Sequence, residues 1–122
     1  MKILVTAPQG KTFELHFPEH ILEQLRAMGE VELNPFSRPF TREELKARLA
    51  DAEIVLTHWG TPQIDAELLA CTEHTILQPH ASCCSAKWRM TQAIIDDLGR
   101  FLRGEPLKLQ VSLRQYRLMT QE

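Results

Sequence analysis

Residues 41–57 read TREELKARLADAEIVLT, and they decide the fold class because a helix and a strand stand there back to back. Thr41 followed by Glu44 has the spacing of a capping box, in which each side chain satisfies the other's free backbone N–H at a helix start. Leu45 and Leu49 then fall on one helical face, and Glu44 and Arg48 stand at i,i+4 for an ion pair. From Glu53 the period changes. EIVLT is a continuous apolar run closed by a polar residue, the pattern of a strand buried on both faces. Residues 2–6, KILVT, repeat it.

Working outward, the loop over residues 7–12 follows the first strand and contains Pro8 and Gly10. Phe17, Ile21, Leu22, Leu25 and Met28 recur at helical spacing, Pro18 suits a first helical position, and Gly29 stands where a left-handed C-terminal residue belongs, so a helix is expected over 18–28. Residues 31–33 give a second strand, ended by Asn34-Pro35 and a loop running through Pro39. After the strand at 53–57, His58-Trp59-Gly60-Thr61-Pro62 reads as a loop, and Asp65 can cap a short helix ending at Leu69. Residues 75–78 are a fourth strand, followed by the polar cluster 79–85. The last large helix carries Ala86, Met90, Ala93, Ile94, Leu98, Phe101 and Leu102 on one face, with Lys87, Gln92, Asp96, Arg100 and Arg103 opposite. Gly104 stops it and Pro106 prevents its return. Residues 107–111 alternate like an edge strand, and 112–119 suit one more short helix. Strands alternating with helices imply a parallel α/β sheet with right-handed crossovers and helices on both faces. In such sheets ligands sit at the carboxyl ends of the strands.

The chain has 122 residues, 43% hydrophobic and 25% charged, which suits one domain. With 14 Lys+Arg against 16 Asp+Glu the balance is −2, which gives no electrostatic footprint for nucleic acid or an anionic membrane. Apolar runs are too short to span a bilayer, and the start enters a strand pattern rather than a signal peptide. Three cysteines, with Cys83 and Cys84 adjacent, form no disulfide framework and suit a reducing, cytoplasmic compartment.

Several residues at the strand ends could carry chemistry. Gly10-Lys11-Thr12 matches the tail of a phosphate-binding loop, but the glycine needed five residues earlier is Val5. Thr6, Gln9 and Thr12 could instead cradle the phosphate of FMN or another phosphorylated ligand, or simply form a polar connection. His80 follows Pro79 at a strand's end and precedes a helix, a position for an acid/base group, although no carboxylate adjacent in sequence orients it. Cys83 and Cys84 fall where a helix dipole lowers a thiol pKa, yet with His80 they lack metal-site spacing, so no metal is expected. Trp59 could wall a ligand pocket or cover the sheet edge. His16 and His20 flank a helix start and read as surface residues.

Two segments resemble the D-isomer-specific 2-hydroxyacid dehydrogenases. The opening KILVTAP and FTREELKARLADAEIVLTHWGTPQIDAELLA (residues 40–70) look like that family's N-terminal substrate-binding segment. TILQPHASCCSAKWRMTQAIIDDLGRFLRGEPL (residues 75–107) looks like its C-terminal return, with Pro-His, a Met-containing helix and Gly-Glu-Pro. The resemblance implies one flavodoxin-like, doubly wound, three-layer αβα domain over 1–122, built from an N-terminal part, 1–73, and a return segment, 74–122. It implies a sheet in the order 2-1-3-4 with an added edge strand and an NAD-binding Rossmann domain deleted between the two parts, and the way the ends meet favours an engineered junction. By position His80 matches the family's acid/base histidine, here vestigial, and Trp59 with Gly60 matches a substrate-contacting loop. No counterpart of the dinucleotide fingerprint, the catalytic arginine or the orienting glutamate is found. The expectation is a substrate-binding domain that holds a 2-oxo or 2-hydroxy acid weakly, binds no cofactor and does not transfer hydride alone. Apolar surface uncovered by the deletion is expected to make it a homodimer, and a homodimeric interaction domain is the remaining alternative.

Overall fold

The structure, a computed structural model, describes residues 1–58, 60–71, 75–77, 87–108, 110 and 114. Its elements are β1 (Lys2–Val5), α1 (Lys11–His16), α2 (Glu19–Met28), β2 (Glu30–Leu33), α3 (Arg42–Leu49), β3 (Ile54–Leu56), α4 (Ala66–Leu69), β4 (Thr75–Leu77) and α5 (Trp88–Leu102). The four strands form a parallel sheet in the order β2-β1-β3-β4. This is the 2-1-3-4 order expected of the four strands.

The sheet is held by its two central strands. Alternate residues of a strand point to opposite faces, and in β1 and β3 both sets are apolar, so each face carries its own cluster. Ile3, Val5, Ile54 and Leu56 pack with Phe13, Phe17, Ile21, Leu22 and Leu25 of the α1–α2 segment and with Ile95 and Leu98 of α5. Leu4 and Val55 pack on the other side with Phe40, Leu45, Leu49, Ala52 and Leu68.

The capping box is present in full: Glu44 N–H donates to Thr41 Oγ1 at 3.2 Å, and Thr41 N–H donates to Glu44 Oε1 at 2.9 Å. Its carboxylate also receives two bonds from the Arg38 guanidinium, at 2.8 and 3.2 Å. The expected Glu44–Arg48 pair therefore does not form; Arg48 turns to Glu32 on β2, 3.1 Å away, and lies over the Phe40 ring. Asp65 caps α4 by accepting from Leu68 N–H at 3.1 Å.

Three other expectations are corrected. Residues 11 and 12 belong to a short helix, α1, rather than to the loop; Gly10 at φ +143° lets the chain turn into it, and Phe13 stacks on Phe17 at 5.1 Å beneath it. Gly29 is not left-handed. Its place is fixed by the approach of the Met1 carbonyl, which an added Cβ would meet at 2.5 Å. The buried face of α5 is turned by about one residue from the expected one: Thr91, Ile95, Asp97, Leu98 and Gly99 are buried, while Phe101 and Leu102 are 43% and 44% exposed. Small residues on that face let α2 approach, with Met28 beside Gly99 and Gln24 exchanging amide bonds with Gln92 at 2.8 and 2.7 Å.

Gly104, at φ +73°, ends α5 as expected. Beyond it residues 107, 108 and 110 are not in a strand, because the Lys108 N–H is drawn to Asp97 Oδ1 at 2.8 Å; the other positions of the expected edge strand lie outside the described residues. Of the short helix expected over 112–119, only Arg114 is described, and it is helical.

Candidate functional site

In a parallel sheet every strand ends on the same edge, so the loops after β1, β2 and β3 meet there. The sequence dictates how they are joined. The residue after each apolar run is polar: Thr6 after β1, Asn34 after β2, and Thr57 with His58 after β3. Each of these is buried. A buried polar group must find partners among its neighbours.

Asn34 is fully buried and braces the first two loops. Its Nδ2 donates to the Thr6 carbonyl at 3.1 Å and to the Arg38 carbonyl at 3.0 Å, while Oδ1 accepts from Phe36 N–H at 2.8 Å. Gln9 adds two more links, donating from Nε2 to the Asn34 carbonyl at 2.9 Å and from its N–H to the Phe36 carbonyl at 2.8 Å. Thr6 ties β1 to β3, with its hydroxyl 3.2 Å from the Leu56 carbonyl and 2.9 Å from Thr61 Oγ1. Thr61 closes the loop after β3 by accepting from His58 N–H at 3.0 Å and donating its own N–H to the His58 carbonyl at 3.0 Å.

Gly60 lies in that loop at φ +79°, a conformation costly for any residue with a Cβ. An added Cβ would also sit 2.7 Å from Pro39 Cγ, so this glycine is where the β3 loop presses on the β2 loop. Thr6 and Gln9, offered by the sequence as a phosphate cradle, are spent on these internal bonds, and Thr12 is exposed.

Two histidines meet behind the loops. His16, at the end of α1, is 3% exposed, and His58 is 8% exposed; their rings contact edge to face with centroids 4.9 Å apart. The expectation of a surface His16 is thus overturned. It lies on the same helical stripe as Phe13 and Phe17, which are themselves buried. His20, in contrast, is exposed and stacks edge-on against Trp88. The His16 Nδ1 is buried without a hydrogen-bond partner among the described residues. Burial, followed by the charges of His58 and Lys87, holds the His16 imidazole below its ordinary value of 6.5.

Of the residues singled out by the sequence, Gly60 is in the site; Trp59, His80, Cys83 and Cys84 lie outside the described residues. Sequence reasoning missed Asn34 as a brace and His16 as a buried group. The stripe of Phe13, His16 and Phe17 at i, i+3 and i+4 was the available signal for His16. Among the described residues no helix is long and apolar enough to cross a membrane. No protein-family model, curated protein or solved structure matches the chain.

Proposed function

We propose that this chain is a flavodoxin-like, three-layer αβα domain of the D-2-hydroxyacid dehydrogenase substrate-binding type, which holds a small 2-oxo or 2-hydroxy acid and transfers no hydride alone. The observation that carries this reading is the edge where three strand ends converge. There Asn34, Thr6, Thr61 and Gly60 lock the loops together beside buried imidazoles, at the sheet edge where parallel α/β folds hold their ligands. Support for the family comes from the Pro79-His80 to Pro106 segment and from residues 40–70, which resemble its two substrate-domain segments. Hydride transfer would need a nicotinamide site and a group that polarises the 2-oxo acid, and a histidine alone supplies neither.

The test is NADH oxidation with glyoxylate, pyruvate and hydroxypyruvate. No turnover is expected, with saturable binding of at least one acid; turnover abolished by His80→Ala would overturn the reading.

A second reading, a homodimer, rests on Phe101 and Leu102, which the end of α5 leaves nearly half exposed. Light scattering is expected to give twice the chain mass at high concentration, and a monomer mass throughout would remove it.

A further inference from the structure

Three features around His16 point the same way. The ring lies 97% buried against His58, yet its Nδ1 has no hydrogen-bond partner among the described residues, a costly state for a polar atom inside a protein. The residues whose charges act on it are His58, from the end of β3, and Lys87, at the start of α5, both cationic when protonated. On α1 itself the nearest titratable groups, Lys11 and Glu14, are exposed, as is Arg89 on α5. Finally, among the described residues α5 begins at Trp88 without a side-chain cap and without an acidic residue in its first turn, which leaves the positive end of this 15-residue helix uncapped beside Lys87. Among the described residues, the charges that act on His16 at this edge are thus positive ones.

We propose that His16, His58, Lys87 and the amino terminus of α5 form an anion site that takes the carboxylate of a small organic acid and takes up a proton on His16 as it does so. This rests on the reading above and names the carboxylate-holding part of that site.

The chemistry is one of linkage. Empty, the site keeps His16 neutral, because a proton there would add to the charge of its neighbours in a place with little water. A bound carboxylate reverses the sign of the local field and gives the imidazolium a charge-assisted partner. Proton and anion therefore bind with positive coupling, and by reciprocity each strengthens the other by the same factor. Lys87, half-buried at the start of α5, adds electrostatic attraction.

The experiment is a histidine Cε1–Hε1 NMR titration of the whole chain between pH 5 and 8, without ligand and with pyruvate, acetate or inorganic phosphate, the His16 signal being assigned with His16→Gln. Pyruvate is expected to raise the His16 midpoint, with affinity tightening about tenfold for each pH unit between its free and bound values. In His16→Gln the pH dependence of pyruvate binding is lost, whereas Lys87→Met weakens binding and leaves that dependence in place. A His16 midpoint unmoved by all three anions overturns the site, and this wild-type result stands even if a variant fails to fold. Pyruvate binding with no change at His16 keeps the 2-oxo acid reading and removes the inference. Equal shifts with acetate, phosphate and pyruvate keep the anion site and remove the 2-oxo acid reading.

Discussion

The two faces of the sheet are built from the same two strands but stabilised in different ways. Leu4 and Val55 look onto an apolar interior of Leu45, Leu49, Leu68 and Phe40, and the charges on that side stay at the rim. There Arg42 joins Asp65 and Glu67, both at 3.1 Å, and Lys46 reaches Glu67 at 3.2 Å, which straps α3 to α4. Ile3, Val5, Ile54 and Leu56 look instead onto a cluster in which the polar groups His16, Thr91 and Asp97 are buried with the apolar ones. Among the described residues Thr91 Oγ1, like His16 Nδ1, has no hydrogen-bond partner there. One face is optimised for packing. The other accepts uncompensated polar burial, and this is expected where stability has been given up for a site.

Substitutions can break this comparison, beginning with the largest effect. Leu25 and Leu45 are both wholly buried, one on each face, and Leu25→Ala or Leu45→Ala is expected to cost about 2–5 kcal/mol by denaturant unfolding. Similar costs would mean that the helices on both faces belong to one cooperative unit. Next, Asn34→Ala leaves the Thr6 and Arg38 carbonyls and the Phe36 N–H without their partner, for about 1–3 kcal/mol, with pyruvate binding weakened beyond what the stability loss explains. Thr41→Ala removes one half of the capping box and is expected to cost about 1 kcal/mol with no effect on binding.

Acid separates the faces without mutation. His16 has a folded-state pKa below 6.5, so its neutral form favours the fold at neutral pH and that contribution is lost as pH falls below 6.5. Glu44 is held down to about 2 by Arg38 and by the Thr41 N–H, so its contribution survives above pH 4.5 and is lost only as pH falls from there toward about 2. The protection factors of the α1 amides, that is how far their exchange is slowed relative to the unfolded chain at the same pH, are therefore expected to fall as pH drops below 6.5 while those of α3 hold. The smallest effect belongs to the strap: Arg42→Ala should change stability by less than about 1 kcal/mol, since its partners are solvent-exposed.

What the sequence made legible follows the same division. The α3 side could be read residue by residue, because a capping box, an N-cap aspartate and two leucines at i,i+4 act within a few positions of each other. The parallel pairing of the strands followed from the alternation of elements. The other side depends on distant partners. The α1 helix has six residues and is held by the Phe13–Phe17 stack and by packing against α5, contacts that no local propensity encodes. The face of α5 was misjudged by about one residue because Thr91 and Gly99 are buried for their small size, while Phe101 and Leu102 stand out despite their hydrophobicity. His16 was assigned to the surface by its residue type; only its place between Phe13 and Phe17 marks it as interior.

The most direct test of the account is a backbone amide NMR titration of the whole chain with pyruvate, mapped onto the sheet. The account predicts saturable shifts gathered at the carboxyl ends of the strands, at Thr6, Asn34, His58, Gly60 and Thr61, with His16 among them. Shifts gathered at the opposite edge, around Lys2, Gly29 and Glu53, or no saturable shift at all, would contradict it.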